Sequence, residues 1–294
     1  MNISVQSLHG EILPPLVTGA PNVTFAEAAA SYVKHGGESR YLARVLEILG
    51  DRPLSSIFPF DVREMAKALF PYQLSATRNR QALTPVRAVI NHAYDRGWCN
   101  LIRLRNFKED APKRKVPASA VWMQLFVRQC DRDGLQHLSA LVLFMAQTGA
   151  RVSEAVALHW SEVDLSGRSA LLLRTKTGTN SARCLTDELV LRFQRLHAES
   201  GEGRVFRYKS RYSVNERIEA VCKRAEIAYK SSHACGRHTF ATTAIDLGMD
   251  VATAMAAGDW KSPTVFLSTY VTPRRNAGRR MADRFNQYQF ESSV

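Results

Sequence analysis

Six residues spread over the second half of the chain are of types able to handle a phosphodiester. Arg151 stands in Thr148-Gly-Ala-Arg151-Val-Ser-Glu154, Lys176 in Arg174-Thr-Lys176-Thr-Gly178, and His233 and Arg237 in His233-Ala-Cys-Gly-Arg237-His238-Thr-Phe-Ala. Trp260 follows in Gly258-Asp-Trp260-Lys-Ser-Pro, and Tyr270 comes ten residues later. Cutting a phosphodiester without a metal requires an in-line nucleophile, cations for the charge on the pentacoordinate phosphorus, and an acid for the leaving 5′ oxygen. Guanidinium groups donate paired hydrogen bonds to such an oxyanion and stay protonated, which suits Arg151 and Arg237.

Tyr270 is the candidate nucleophile. A free phenol ionises near pH ~10, so it needs neighbouring cations or a base to attack at neutral pH. Lys176 suits the general acid at the leaving oxygen, and the Trp260 indole offers one N–H to a phosphate oxygen. Glu154 reads as the residue that orients Arg151. Taken singly, each residue has a plainer reading: Arg151 as a helix cap, Lys176 as a solvated turn residue, Tyr270 and Trp260 as core aromatics, the histidines as packed or surface groups. Their ordered co-occurrence, each in a fitting local context, favours the chemical reading.

The elements that must position these residues are mostly helices. Residues 1–22 hold Gly10, Pro14, Pro15, Gly19 and Pro21 and show no helical period, so they read as a lead-in arm. Thr24 followed by Glu27 is a capping-box pattern that predicts a helix from Phe25. Further helices are predicted over 39–49, 59–69 and 75–96, the last stopped by Gly97. This gives a small helical domain over 23–108. The stretch Arg103, Arg105, Lys108, Lys113, Arg114, Lys115 is basic, interrupted by Pro112 and followed by Pro117, which predicts an extended linker, placed at 109–117; a solvated loop is the plainer reading, and beside the candidate site residues the linker is expected to lie along a DNA backbone.

A second domain is predicted over 118–272. Helical periods run over 118–130 and 136–147, and a further helix is expected over 153–159. A hairpin follows, with strands at 169–174 and 182–185 and Lys176 in its turn. Helices are then expected over 187–196, 214–225, 236–247, 251–257 and 264–270. The fold class is therefore mainly α with a small β-sheet (α+β).

The 294 residues carry 40 Lys plus Arg against 27 Asp plus Glu, a net charge of +13, which points to a polyanionic partner, nucleic acid first. Cys99, Cys130, Cys184, Cys222 and Cys235 are scattered and odd in number, which argues against a zinc site or a disulfide framework and suits a reducing cytoplasm. The longest apolar run, near Leu138 to Ala146, falls well short of the ~20 residues that span a bilayer, and no leader pattern opens the chain. No cofactor and no membrane partner are expected.

From about Thr24 to Tyr270 the pattern resembles the tyrosine recombinase family, the phage integrase and Xer-type enzymes. The Arg151 segment resembles that family's first arginine box, Arg237-His238-Thr-Phe-Ala its second, and Lys176 its hairpin lysine. Trp260 and Tyr270 fall at the positions of its His-or-Trp and its nucleophile. The resemblance implies a helical core-binding domain and a mixed catalytic domain clamping double-stranded DNA. It also implies cleavage to a 3′-phosphotyrosine and strand exchange through a Holliday junction by a tetramer on paired sites, without metal. Accessory DNA-bending or directionality proteins belong to the same expectation.

Two departures stand out. The family places a histidine three residues before the second arginine; here that position is Ala234, and His233 lies four before, with His238 as the second candidate for the role. Trp260 precedes Tyr270 by ten residues where nine is common, Asp259 being the added residue. After Tyr270, residues 273–294 form a tail with Arg274, Arg275, Arg279, Arg280 and Arg284 beside Met281, Phe285, Tyr288 and Phe290, read as a helix docking on a neighbouring protomer or packing in cis. Two other readings stay open: a type IB topoisomerase-like DNA relaxer and a non-enzymatic DNA-binding regulator.

Overall fold

The computed structural model describes residues 22–110, 115–173, 179–199, 201–271 and 276–288. Lys176, the hairpin turn around it, most of the lead-in arm and the residues joining Tyr270 to the tail lie outside these ranges. The chain divides into two compact units, Met1–Pro112 and Lys113–Val294.

The first unit is helical: α1 (Phe25–Lys34), α2 (Leu42–Leu49), α3 (Pro59–Leu69), the single turn α4 (Ser75–Arg78), a π-helical turn (Asn79–Leu83) and α5 (Thr84–Asp95). The expected capping box is formed, Thr24 Oγ1 accepting from the Glu27 amide while the Thr24 amide donates to Glu27 Oε2 at 2.8 Å. Phe25, Val45, Val62, Leu83, Val86 and Ile90 are buried in its core.

Residues 98–110 then run back over this unit without regular structure. Asn79, buried in the π-turn, accepts from the Phe107 amide at 2.8 Å and donates to its carbonyl at 2.9 Å. Leu104 and Phe107 are buried, and Arg63 lies over the Phe107 ring and donates to the Arg105 carbonyl. The first half of the basic stretch, within the 23–108 domain, is thus docked on that unit, with Arg103, Arg105 and Lys108 facing outward.

The second unit is built around α7 (Gln136–Thr148), in which every residue from Leu138 to Met145 is buried. An apolar face all round makes this a central core helix, and no described helix is long and apolar enough to cross a membrane. Around it pack α6 (Ala120–Arg132), α8 (Val152–Ala157), α9 (Asp187–Glu199) and α10 (Arg211–Arg224). Phe144, Phe193 and Phe206 meet with ring centroids 5.6–5.8 Å apart, with Trp160 edge-on to Phe193.

The sheet is antiparallel, in the order β1 (Val163–Asp164), β2 (Ser169–Leu172), β3 (Ser181–Cys184). The two-residue β1 was not expected, being too short for an alternation to show. The last elements are α11 (Thr239–Asp246), α12 (Val251–Gly258), α13 (Pro263–Tyr270) and α14 (Ala277–Gln287). Ala241, Ala254, Met255, Phe266 and Tyr270 form their own small core.

Candidate active site

Arg237 is the best-held of the candidate residues. It lies in a π-helical turn, Ala234–His238, that leads directly into α11, and only 4% of its surface is exposed. Nη1 donates to the Gly149 carbonyl at 2.5 Å and to the Gly258 carbonyl at 2.7 Å, and Nη2 donates to the Asp259 carbonyl at 3.2 Å. Three of its five N–H groups are thereby engaged. Its cation stands 3.6 Å from the centre of the Trp260 ring. Burial, then the neighbouring Arg151, lower its pKa to about 10, so it is protonated at neutral pH.

The carbonyls that hold it come from two turns. Gly149 caps α7 in the left-handed region at φ +71°, and a side chain there would meet Phe240 and the Gly258 backbone. Gly258 ends α12 and lies against Trp260, whose Cζ3 would sit 1.8 Å from an added Cβ. The added residue Asp259 takes φ +56°, and the Trp260 amide closes back on the Met255 carbonyl at 2.9 Å, a helix-ending turn that absorbs it.

Arg151 sits at the start of α8, where Glu154, itself buried, fixes it twice. The Arg151 amide donates to Glu154 Oε2 at 2.8 Å and Nη1 to Oε1 at 2.5 Å. Nη1 also stands 3.9 Å from Asp259 Oδ2, so both arginines converge on the Gly258–Trp260 turn. Although burial works against it, Lys261, Arg183 and Arg151 hold the Asp259 carboxyl below its ordinary pKa.

Tyr270, 7% exposed at the end of α13, is enclosed by rings. His238 lies 5.0 Å away between centroids, Trp260 5.4 Å, Phe266 5.4 Å and His233 6.4 Å. Both candidate histidines therefore face it. A π-turn consumes one more residue per turn than an α-helix, so the spacing of four between His233 and Arg237 spans about one turn there, as a shorter spacing does in an α-helix. His233 keeps an exposed edge, and partial burial followed by Lys115, His238 and Arg237 lower its pKa to about 4. Burial and the cations of Lys115 and Lys230 lower that of His238 as well, whose Nδ1 is buried without a partner among the described residues.

Beside these groups opens a cleft of about 560 Å3, lined among others by Lys115, Arg151, Ser210, Arg211, His233 and Arg237. Ser210 caps α10, whose N-terminus adds its partial positive charge to the cleft. An open cationic cleft of this kind takes an anion. Arg183, buried at 2% exposure on β3, was not singled out in the sequence; Ser-Ala-Arg-Cys reads as an ordinary strand.

Residues 123–276, just over half of the chain, match the phage integrase family. The chain belongs to that family, the tyrosine recombinases. Among curated relatives of this phage integrase family member, the tyrosine recombinase XerD of Mycobacterium tuberculosis is 26% identical over 76% of this chain and 81% of its own. A putative integrase/recombinase of Haemophilus influenzae is 29% identical over 46% of this chain, and the match spans 44% of that protein. The fold is also that of the Tn1549 transposon integrase solved with circular intermediate DNA (TM-score 0.68, 21% identity, 88% of this chain, 99% of that one). A lambda integrase tetramer bound to a Holliday junction superposes at TM-score 0.66 with 15% identity, covering 83% and 76%. Within this family member, the second-arginine segment and the Trp260 turn are the two places where the sequence pattern departs, and each departure falls in a local irregularity of the backbone.

Proposed function

We propose that this recombinase cleaves and rejoins double-stranded DNA with Tyr270 as nucleophile and Arg151, Lys176, His233, Arg237 and Trp260 as its supporting residues. The observation that carries the proposal is the enclosure of Tyr270 by His233, His238 and Trp260 next to the caged Arg237. The scissile phosphate enters the cationic cleft and takes hydrogen bonds from Arg151 and Arg237. Tyr270 Oη attacks phosphorus while its proton passes to the neutral His233 imidazole. The P–O5′ bond breaks, and Lys176 gives its proton to the leaving oxygen. This leaves a 3′-phosphotyrosine and a free 5′ hydroxyl. Attack of another strand's 5′ hydroxyl reverses the step and frees the tyrosine, so no high-energy cofactor is consumed.

Exchange between two duplexes proceeds through a Holliday junction on a tetramer. The lambda integrase tetramer seen on a Holliday junction supports this by relationship. So does α14, whose Met281 and Phe285 are exposed and none of whose residues is buried, as suits a helix that docks on a second copy. Recognition of its own site and any accessory protein follow the same reading.

The test is covalent trapping. The protein is incubated with labelled DNA fragments tiling the flanks of its own gene, nicked near candidate sites, and SDS-resistant adducts are sought for wild type and Tyr270→Phe. An adduct lost in the variant, with DNA affinity kept, is expected. An adduct that survives the substitution moves the nucleophile elsewhere, and salt-sensitive binding without any adduct favours a regulator.

A further inference from the structure

Strand β3 is inverted with respect to residue type: Ala182 and Cys184 face outward, while Arg183, between them, points into the protein opposite Ala170. Only 2% of Arg183 is exposed. Its Nη1 donates to the Ala257 carbonyl at 2.9 Å, the residue immediately before the Gly258–Trp260 turn. Its Nε and Nη2 are buried without a hydrogen-bond partner among the described residues. Such a fork is costly to bury unless something nearby uses its charge.

What lies nearby is the arginine pair and its carboxylates. Arg183 is attracted by Glu154 and Asp259 and repelled by Arg151, and Arg237 in turn senses Arg183. Glu154 and Asp259 are both nearly buried, and together they would cancel the charge of Arg151 and Arg237. Lys261 pairs with Asp259 Oδ1 at 3.0 Å but is largely exposed, so solvent and salt weaken its share.

We propose that Arg183 is a positioning residue: anchored on Ala257, it offsets the buried carboxylates of Glu154 and Asp259 so that Arg151 and Arg237 stay net cationic toward the phosphate. It ties the strand that follows the Lys176 segment to the turn whose carbonyls hold Arg237. Its link to catalysis rests on the strand-transfer function proposed above; the charge balance does not.

The test uses the full chain in three forms: wild type, Arg183→Gln, and Arg183→Gln with Asp259→Asn, which keeps the left-handed turn. Without DNA, a carboxyl NMR titration should show the Asp259 pKa rising in Arg183→Gln; an unchanged value overturns the proposal. With nicked DNA, Arg183→Gln should form the Tyr270 adduct about 10- to 100-fold more slowly at near wild-type affinity, the scale of a misplaced catalytic group. Removing the Asp259 charge should restore about tenfold. A wild-type rate in Arg183→Gln, or no rescue by Asp259→Asn, overturns it. Should Arg183→Gln fail to fold, the double variant is expected to fold, and failure of both speaks for packing alone. If the wild type itself forms no adduct, the strand-transfer function falls while the Asp259 titration still decides this inference.

Discussion

The guanidinium carbon of Arg237 lies over Trp260, 3.6 Å from its ring centre, and the same indole borders Tyr270 at 5.4 Å. One side chain thus fixes the distance between the cation and the candidate nucleophile. Trp260→Phe should keep most of the adduct-forming rate. Trp260→Ala should slow it by about tenfold, the upper part of what a cation–π contact supplies, and cost about 2–4 kcal/mol of stability as a large-to-small change. Single-turnover cleavage and urea denaturation measure the two.

Gly258 sets a limit on that packing. Inside a helix, alanine is ordinarily better than glycine by about 1 kcal/mol, but here its Cβ would run into Trp260. Overpacking costs about 1–3 kcal/mol, so Gly258→Ala should lower the melting temperature and depress cleavage further than it depresses stability. An unchanged melting temperature and rate would show that Trp260 swings aside freely.

The histidines fix the response to acid. His92, His137, His233 and His238 all have pKa values lowered on folding, chiefly by burial. Between those values and the unfolded ~6.5 the unfolded chain binds more protons, so stability rises with pH in that window. Lowering the pH from neutral to 5 should therefore destabilise the protein, which thermal melts across that range will record. With His233 at about 4, adduct formation should stay flat from pH 8 to 6 in the folded protein, where an ordinary histidine base would already lose activity.

In the helical unit, Asn79→Ala would leave the Phe107 amide and carbonyl unpaired in a buried setting. The expected cost is about 1–3 kcal/mol, with proteolytic cutting appearing between Arg103 and Asp110 before the helices melt. Denaturation and limited proteolysis of the variant check both.

Much of this organisation was legible in the chain. Thr24 and Glu27, Pro59, Gly97 and Gly149 announce helix ends through side chains or backbone conformations that only a few residue types serve. The boxes around Arg151 and Arg237 stand out by residue type, and the fold brings both arginines to the Gly258–Trp260 turn. The cage around Arg237 was not legible, because Gly149, Gly258 and Asp259 contribute carbonyl oxygens that every residue owns. Nor was the π-turn, since one extra residue per turn leaves no periodic trace over five positions. Arg183 was concealed for the opposite reason: alternation along β3 would put Ala182 and Cys184 inside and the arginine in solvent, and charge balance around Glu154 and Asp259 reverses it.

The three carbonyls that seat Arg237 belong to turns more than a hundred residues apart in the chain, after α7 and after α12. A copy in which either turn is unfolded keeps the candidate side chains and yet has no complete seat for this arginine. The geometry around Arg237 is therefore a property of the folded second unit as a whole and of no single segment of it.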